Sequence, residues 1–355
     1  MSSNYSIIGC MSGTSLDGLD LAHCTFQKTT GGWQYEIHEA ETIKYSEEWV
    51  QRLTNCMKLE GLALSQLDVD LGKLIGKEVQ QFIQKHNLSP KYIASHGHTV
   101  FHEPHNSLTL QVGNGAAIYA QTSVPSIVDF RTLDVMNGGQ GAPLVPIGDQ
   151  LLFSEYDYCL NLGGIANITD LSSEKVIAFD VSPCNMVLNW LANKLDKAYD
   201  ERGQEAAKGT VNEELLTQLN RLDYFNLPAP KSLGKEWVDA VVFPLLEKTS
   251  LSVQDILATY CEHIAMQLAR VISSDRKTKL LVTGGGAYNQ FLVDRFRYRF
   301  PAICTIDLLD QKVIEYKEAL IFAFLGVLKV RNEPNCLASV TGASKDVCGG
   351  VIWND

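Results

Sequence analysis

Residues 7–23 read IIGCMSGTSLDGLDLAH. An apolar run (Ile7, Ile8) enters a turn containing Gly13, Thr14, Ser15, Asp17 and Gly18. A second run leaves it, with Leu19, Leu21 and His23 alternating with Asp20, Ala22 and Cys24. Strand, glycine-and-hydroxyl turn, strand is the pattern of a β-hairpin. The turn also carries chemistry. Gly13 and Gly18 let backbone N–H groups approach an anion, and Thr14 and Ser15 add hydroxyl donors. Asp17 offers an oxygen ligand for a water or a hydrated Mg²⁺. A plain hairpin is the competing reading of the same residues.

The device recurs halfway along the chain. Residues 158–171 read YCLNLGGIANITDL, a strand broken by Gly163 and Gly164 and followed by Asn167, Thr169 and Asp170. Two hairpins, each opening a half and each with a polar glycine turn, imply a duplicated architecture. Between the halves of such a fold a nucleotide phosphate chain can be gripped from both sides. No G-x-x-x-x-G-K-[ST] loop and no G-x-G-x-x-G after a strand occurs.

Composition bounds the function. The 355 residues suffice for two domains with substantial cores. A net charge of −11 argues against a nucleic-acid surface, which needs phosphate-neutralising Lys and Arg. No apolar run reaches the ~18 residues of a membrane span. The N-terminus lacks the basic and apolar pattern of a signal peptide. Nine cysteines are scattered without C-x-x-C spacing, as in a reduced, cytoplasmic protein.

Further along, helices are expected over residues 62–86, 252–272 and 313–330, from apolar residues at helical spacing. A short strand at 92–94 delivers Ser95-His96-Gly97-His98-Thr99 at its C-terminal end, where ligands sit in open α/β sheets. Four histidines fall between His96 and His105, and alternation would put His96 and His98 on one strand face as a metal pair. A metal-dependent hydrolase is thus an alternative, against which stand the missing H-E-x-x-H and the break at Pro104. Arg131 offers a planar fork for a carboxylate or phosphate, unless it pairs with Asp129 or Asp134 to brace its loop. The glycine loop running through Pro143 and Pro146 reads as a crossing between halves. It divides the chain into 1–145 and 146–355, with the C-terminal helix able to return to the first.

A strand over 176–179 would end at Asp180, just ahead of a helix over 185–195. An Asp so placed is either a general base or the N-cap of that helix. The strand at 280–283 runs into Gly284-Gly285-Gly286-Ala287, with Asn289 opening the next helix, so backbone can pack against a planar ring or an anion. Glu318 falls near the apolar side of its helix, where a carboxylate needs a partner.

Together these features are the layout of the actin/hexokinase/Hsp70 superfold, α/β with two related ribonuclease H-like domains. The chain resembles the anhydro-N-acetylmuramic acid kinases more closely still. The resemblance is carried by residues 9–20 (GCMSGTSLDGLD), 95–104 (SHGHTVFHEP), 129–146 (DFRTLDVMNGGQGAPLVP), 161–170 (NLGGIANITD), 228–236 (PAPKSLGKE), 284–289 (GGGAYN) and 339–343 (SVTGA). It implies an ATP- and Mg²⁺-dependent kinase that opens the anhydro bond of 1,6-anhydro-N-acetylmuramic acid with water and phosphorylates O6, in cell-wall recycling. It implies Asp180 as the base that activates the water. Residues 13–18 would hold phosphates, with Asp17 a water-mediated Mg²⁺ ligand and Gly163, Gly164 and Asn167 opposing them. Gly284, Gly285, Gly286 and Asn289 would take the adenosine. Ser95, His96, Asp129, Arg131 and Glu318 are candidates for the sugar and its lactyl carboxylate. The resemblance also implies a homodimer and domain closure.

The departures lie beside the base. Where the family reads close to FDTGPGN, this chain has Phe179-Asp180-Val181-Ser182-Pro183-Cys184-Asn185, so Ser182 and Cys184 replace two glycines. If either position needed a positive φ, the side chain would strain it by roughly 1–2 kcal/mol. His98 stands where the family usually has Gln. The active kinase stays the leading reading, with retained ATP binding and slower or shifted sugar chemistry expected; a catalytically weakened ATP- or sugar-binding relative is the alternative these changes motivate.

Overall fold

A computed structural model describes residues 4–13, 16–272, 276–300 and 304–355. Thr14 and Ser15 lie outside the described residues. The chain divides into two units, residues 1–152 with 316–355, and residues 153–315. The crossing therefore falls after Leu152 rather than at residue 145. The second unit ends at Glu315, and all of 316–355 returns to the first.

In the first unit the opening hairpin forms as the sequence implies. Strands β1 (Asn4–Ser12) and β2 (Leu19–Thr29) pair antiparallel, from Asn4 opposite Gln27 to Ser12 opposite Leu19. β2 turns back into β3 (Gly32–Ile43). β4 (Tyr92–Ser95) then joins β1 in parallel. β5 (His98–Glu103) and β6 (Leu108–Val112) form a separate ribbon. β7 (Ser126–Val128) runs parallel to β4, and the final strand, Val351–Trp353, closes the far edge. The sheet order is final strand–β7–β4–β1–β2–β3. Ile8, Cys10, Leu19, Leu21 and Ile93 meet the apolar stripe Leu67, Leu71, Ile75, Val79 and Phe82 of the helix Gly61–His86 in one core. That helix stops at Asn87, whose left-handed backbone (φ 52°, ψ 48°) caps it before Pro90. Gly9 has to be glycine, because a Cβ there would run into the Ala319 carbonyl of the helix Gln311–Val330.

The second unit repeats the plan. β8 (Tyr158–Leu162) and β9 (Ile165–Asp170) form the second hairpin, with Leu162 opposite Ala166 across Gly163 and Gly164. β10 (Ile177–Pro183) pairs antiparallel with β9, while β11 (Thr278–Thr283) and β12 (Cys304–Leu308) add in parallel beyond β8. The order β10–β9–β8–β11–β12 matches β3–β2–β1–β4–β7 of the first unit, and so do the strand directions. This is the duplication read from the two hairpins, and each sheet has the ribonuclease H-like form. The helix Val253–Val271, capped by the Ser252 hydroxyl on the Asp255 amide, buries Leu257, Tyr260, Ile264 and Leu268 against the unit's core. No helix among the described residues is long and apolar enough to cross a membrane.

Three local expectations are corrected. β10 does not end at Asp180 but runs on to Pro183, with a register shift between Asp180 and Ser182. A bulge on an edge strand re-aims a side chain without ending the pairing. His96 and His98 share no strand, because β4 stops at Ser95 and Gly97 (φ +70°) turns the chain before β5. Glu318 lies on the exposed face of its helix, and it is the neighbouring Lys317 that is buried, paired with Asp149 at 2.7 Å.

Candidate active site

In the second unit, Asp180 sits half-buried at the bulge of β10. Its Oδ2 accepts a 2.7 Å hydrogen bond from the Leu233 amide, its own N–H donates to the Lys231 carbonyl, and its carbonyl accepts from the Tyr224 hydroxyl. The segment from Tyr224 to Leu233 thus clamps the residue from three sides. The N-cap alternative fails, because Cys184 occupies the N-cap position of the helix Asn185–Asn193. Burial raises the Asp180 carboxyl above its usual range, and the Leu233 hydrogen bond only partly opposes this. A carboxylate so tuned is a better proton acceptor near neutrality than a solvated one.

Register places Asp180 opposite Asn167, and Asn167 opposite Asn161. Cross-strand partners share a face, so one polar row crosses the sheet. Gly163 and Gly164 turn their carbonyls to the amides of Cys184, Asn185 and Met186, which ties the hairpin tip to the start of the next helix. The Gly284–Asn289 turn follows β11. Gly284 has φ +81°, and a Cβ there would lie 2.5 Å from Asn161 Oδ1 and 2.9 Å from the Leu162 backbone. Gly285, Gly286 and Asn289 line a pocket of about 510 Å³ with Asn185, Asn189, Tyr199, Arg202 and Tyr288. That volume and mix of aromatic and polar groups suit a nucleoside. Gly284→Ala should weaken ADP binding roughly tenfold, from left-handed backbone strain and the lost close approach. Calorimetric titration with ADP checks this, and unchanged affinity would detach the turn from the nucleotide.

The sequence reading missed Asn161, Asn185, Tyr199 and Arg202, together with the Leu233 amide. Tyr199 and Arg202 stand in or beside the charged stretch 200–209, which shows no periodicity. A backbone donor leaves no residue signature.

Neither of the two substituted glycine positions uses the left-handed backbone that favours glycine. Neither Ser182 nor Cys184 has a positive φ, and Cys184 sits at φ −128°. Both side chains are fully buried, and the Ser182 hydroxyl donates to the Pro183 carbonyl. Cys184→Gly should therefore destabilise the protein, by about 2 kcal/mol from lost packing and added backbone freedom. Urea unfolding measures it, and a gain in stability would show that glycine is the better fit.

In the first unit, Arg131 is held by neutral acceptors. Its Nε and Nη2 both reach His96 Nε2, at 3.0 and 2.9 Å, and its Nη1 donates to the Gly141 carbonyl at 2.6 Å. It does not pair with Asp129 or Asp134, so the loop-bracing alternative is overturned. Burial lowers its pKa to about 10. His96 Nδ1 bonds the Gly97 carbonyl, which assigns the proton to Nδ1 and leaves Nε2 to accept from Arg131. Burial and the Arg131 charge hold His96 far below its usual pKa, and so neutral. The guanidinium keeps one hydrogen on each terminal nitrogen and meets no carboxylate through its hydrogen bonds, which suits an anionic ligand.

Ser95 is buried and accepts from the Gly97 amide. Asp129 adopts φ +60° and accepts from the Thr132 amide. Glu318 is solvent-accessible yet crowded by protein, and desolvation followed by the Asp20 carboxylate raises its pKa. His98 is buried, 3.4 Å from the Ser12 hydroxyl. Asp17 is exposed beside buried Gly18. No cluster of three or more metal-ligating side chains occurs among the described residues.

A duplicated ribonuclease H-like sheet, with a nucleoside-sized pocket on one unit and an anion-ready arginine on the other, defines a phosphotransferase of the actin/hexokinase class. The model of one family, anhydro-N-acetylmuramic acid kinase, matches residues 5–355. A relative of that name from Pasteurella multocida is 38% identical, over 98% of this chain and 96% of its own. One from Aliivibrio fischeri is 36% identical, over 98% of each. Among solved structures, component A of the Acidaminococcus fermentans (R)-2-hydroxyglutaryl-CoA dehydratase aligns at a TM-score of 0.44, with 12% identity, over 90% of this chain and 96% of its own. The chain belongs to the anhydro-N-acetylmuramic acid kinase family.

Proposed function

We propose that the protein converts 1,6-anhydro-N-acetylmuramic acid, ATP and water into N-acetylmuramic acid 6-phosphate and ADP, in the recycling of cell-wall fragments. The observation that carries this reading is Asp180: a partly buried carboxylate with a raised pKa, clamped by the Leu233 amide. Asp180 takes a proton from the water that attacks C1 of the sugar. The C1–O6 bond breaks, and the electron pair passes to O6, which attacks the γ-phosphorus. ADP leaves, and Asp180 returns its proton to solvent. Little covalent work falls to the protein, which positions the groups and stabilises their charge.

Arg131, set by His96 and Gly141, takes the lactyl carboxylate, and Ser95, Asp129 and Glu318 bond sugar hydroxyls. Gly284–Gly286 and Asn289 hold the adenosine. Gly163, Gly164 and Asn167, with residues 13–18 of the first hairpin, hold the phosphates. Asp17, exposed and oxygen-bearing, fits a water-mediated Mg²⁺ contact. Bound Mg²⁺ neutralises charge on the transferring phosphoryl group. A cytoplasmic homodimer completes the reading, on family resemblance.

The test is ADP release from ATP, Mg²⁺ and the anhydro sugar in ¹⁸O-labelled water. Sugar-dependent ADP with label on the C1 hydroxyl is the expected result. No turnover despite binding of both ligands would favour the weakened-relative reading. Stoichiometric zinc in the purified protein would favour the hydrolase.

A further inference from the structure

A second pocket, of about 330 Å³, lies in the second unit apart from the nucleoside pocket. Ile177 and Phe179, which alternate with Ala178 and Asp180 along β10, form part of its wall with Phe225 and Leu227. Lys231 and Arg270 supply its charge, opposed by Asp170.

The two cations are spare. Among the described residues, Lys231 Nζ reaches only the Tyr224 carbonyl (3.1 Å) and the face of its ring, and Arg270 Nη1 only Gln267 Oε1 (3.2 Å). Neither forms an ion pair among the described residues. Asp170 forms no ion pair with either among the described residues; its Oδ1 accepts from the Ser172 amide and hydroxyl. Burial and the Arg270 charge both push the Lys231 pKa down, so an anion here would relieve a repulsion already present.

We infer that this pocket is a binding site for a small amphipathic anion, an aromatic ring carrying a phosphate or carboxylate. The ring packs on Ile177, Phe179, Phe225 and Leu227, and the anion meets Lys231 and Arg270. Aromatic packing and charge-assisted hydrogen bonds are the two terms that such a site rewards. The site bears on the base. The Lys231 carbonyl accepts the Asp180 N–H, and Leu233, two residues on, holds the Asp180 carboxylate. An occupant gripped by Lys231 therefore stiffens the segment that fixes Asp180.

The test is calorimetric titration of phenyl phosphate into protein saturated with ADP, which blocks the nucleotide site. Benzyl alcohol serves as the uncharged control, and Arg270→Gln as the variant. Arg270 is exposed, so the substitution spares the core, and an unchanged melting curve verifies this. Phenyl phosphate should bind the wild type, benzyl alcohol should bind at least tenfold more weakly, and Arg270→Gln should lose about tenfold in affinity, as expected of one charge-assisted hydrogen bond. No binding to the ADP-saturated wild type, or equal affinity in Arg270→Gln, would overturn the assignment. A failure here leaves the kinase reading intact, since that rests on turnover.

Discussion

Asp180→Asn is expected to lower turnover by about 10³-fold, within the range general-base catalysis contributes. The substitution is nearly isosteric, and the amide oxygen can still accept the Leu233 N–H, so the clamp on β10 survives. What disappears is the ability to take a proton. ADP should bind the variant as it binds the wild type, because the pocket proposed for the nucleoside, lined by Asn185, Tyr199, Arg202, Gly285, Gly286 and Asn289 among others, does not include Asp180. The pH profile gives a second readout. A base works only when deprotonated, so activity falls as the pH drops through its folded pKa. Burial raises that pKa above the ordinary 3.8. The acid limb of kcat/KM should therefore lie at higher pH than a solvated Asp would give, and should vanish in the residual activity of the variant. Turnover within tenfold of the wild type, or an unmoved acid limb, would remove Asp180 from the role of base.

The fold was legible because both of its defining elements are local. A hairpin signs itself by alternation and a glycine turn, and the chain carries two, at 7–23 and 158–171, each opening a sheet of the same order. The return of 316–355 to the first unit was harder to read. The helix Gln311–Val330 crosses the boundary at Tyr316, where the backbone departs from helical values (φ −115°, ψ 18°), and no glycine or proline announces that break. Among the candidate residues, Asp180 and Arg131 stood out by residue type and position. Their partners did not. The Leu233 amide and the Gly141 carbonyl are backbone groups that any residue carries. The same limit explains the two histidines. Alternation put His96 and His98 on one strand, and a single left-handed glycine between them sent one ring to Arg131 and the other toward Ser12. Glu318 misled for another reason: in a largely apolar helix one carboxylate marks the exposed line, and the ion pair that needed burial belonged to Lys317 and Asp149.

The second large effect is expected at a residue that touches no ligand. Asp134 is completely buried, and its carboxylate collects three donors from three segments. Oδ2 accepts from the Gly141 amide at 2.8 Å, and Oδ1 from the Thr341 hydroxyl at 2.8 Å and the Cys336 thiol at 3.2 Å. Gly141 in turn presents the carbonyl that holds Arg131 Nη1. Asp134→Ala would leave the Gly141 amide buried without its acceptor and open a void beside Gly139, which packs against the carboxylate. Thr341 can fall back on the Leu337 carbonyl at 3.3 Å, so its loss is partial. An unsatisfied buried donor costs about 1–3 kcal/mol, and with the lost packing the total should reach about 3–4 kcal/mol. Asp134→Asn keeps the volume but turns an NH₂ toward one of the donors, so about 2 kcal/mol is expected. Urea midpoints order the three proteins. A merely structural role would stop there. Because Gly141 positions Arg131, the folded Asn variant should also show a raised KM for the sugar at unchanged KM for ATP. An Asp134→Asn protein that unfolds like the wild type, or that weakens both substrates alike, would break the link from this buried carboxylate to the arginine.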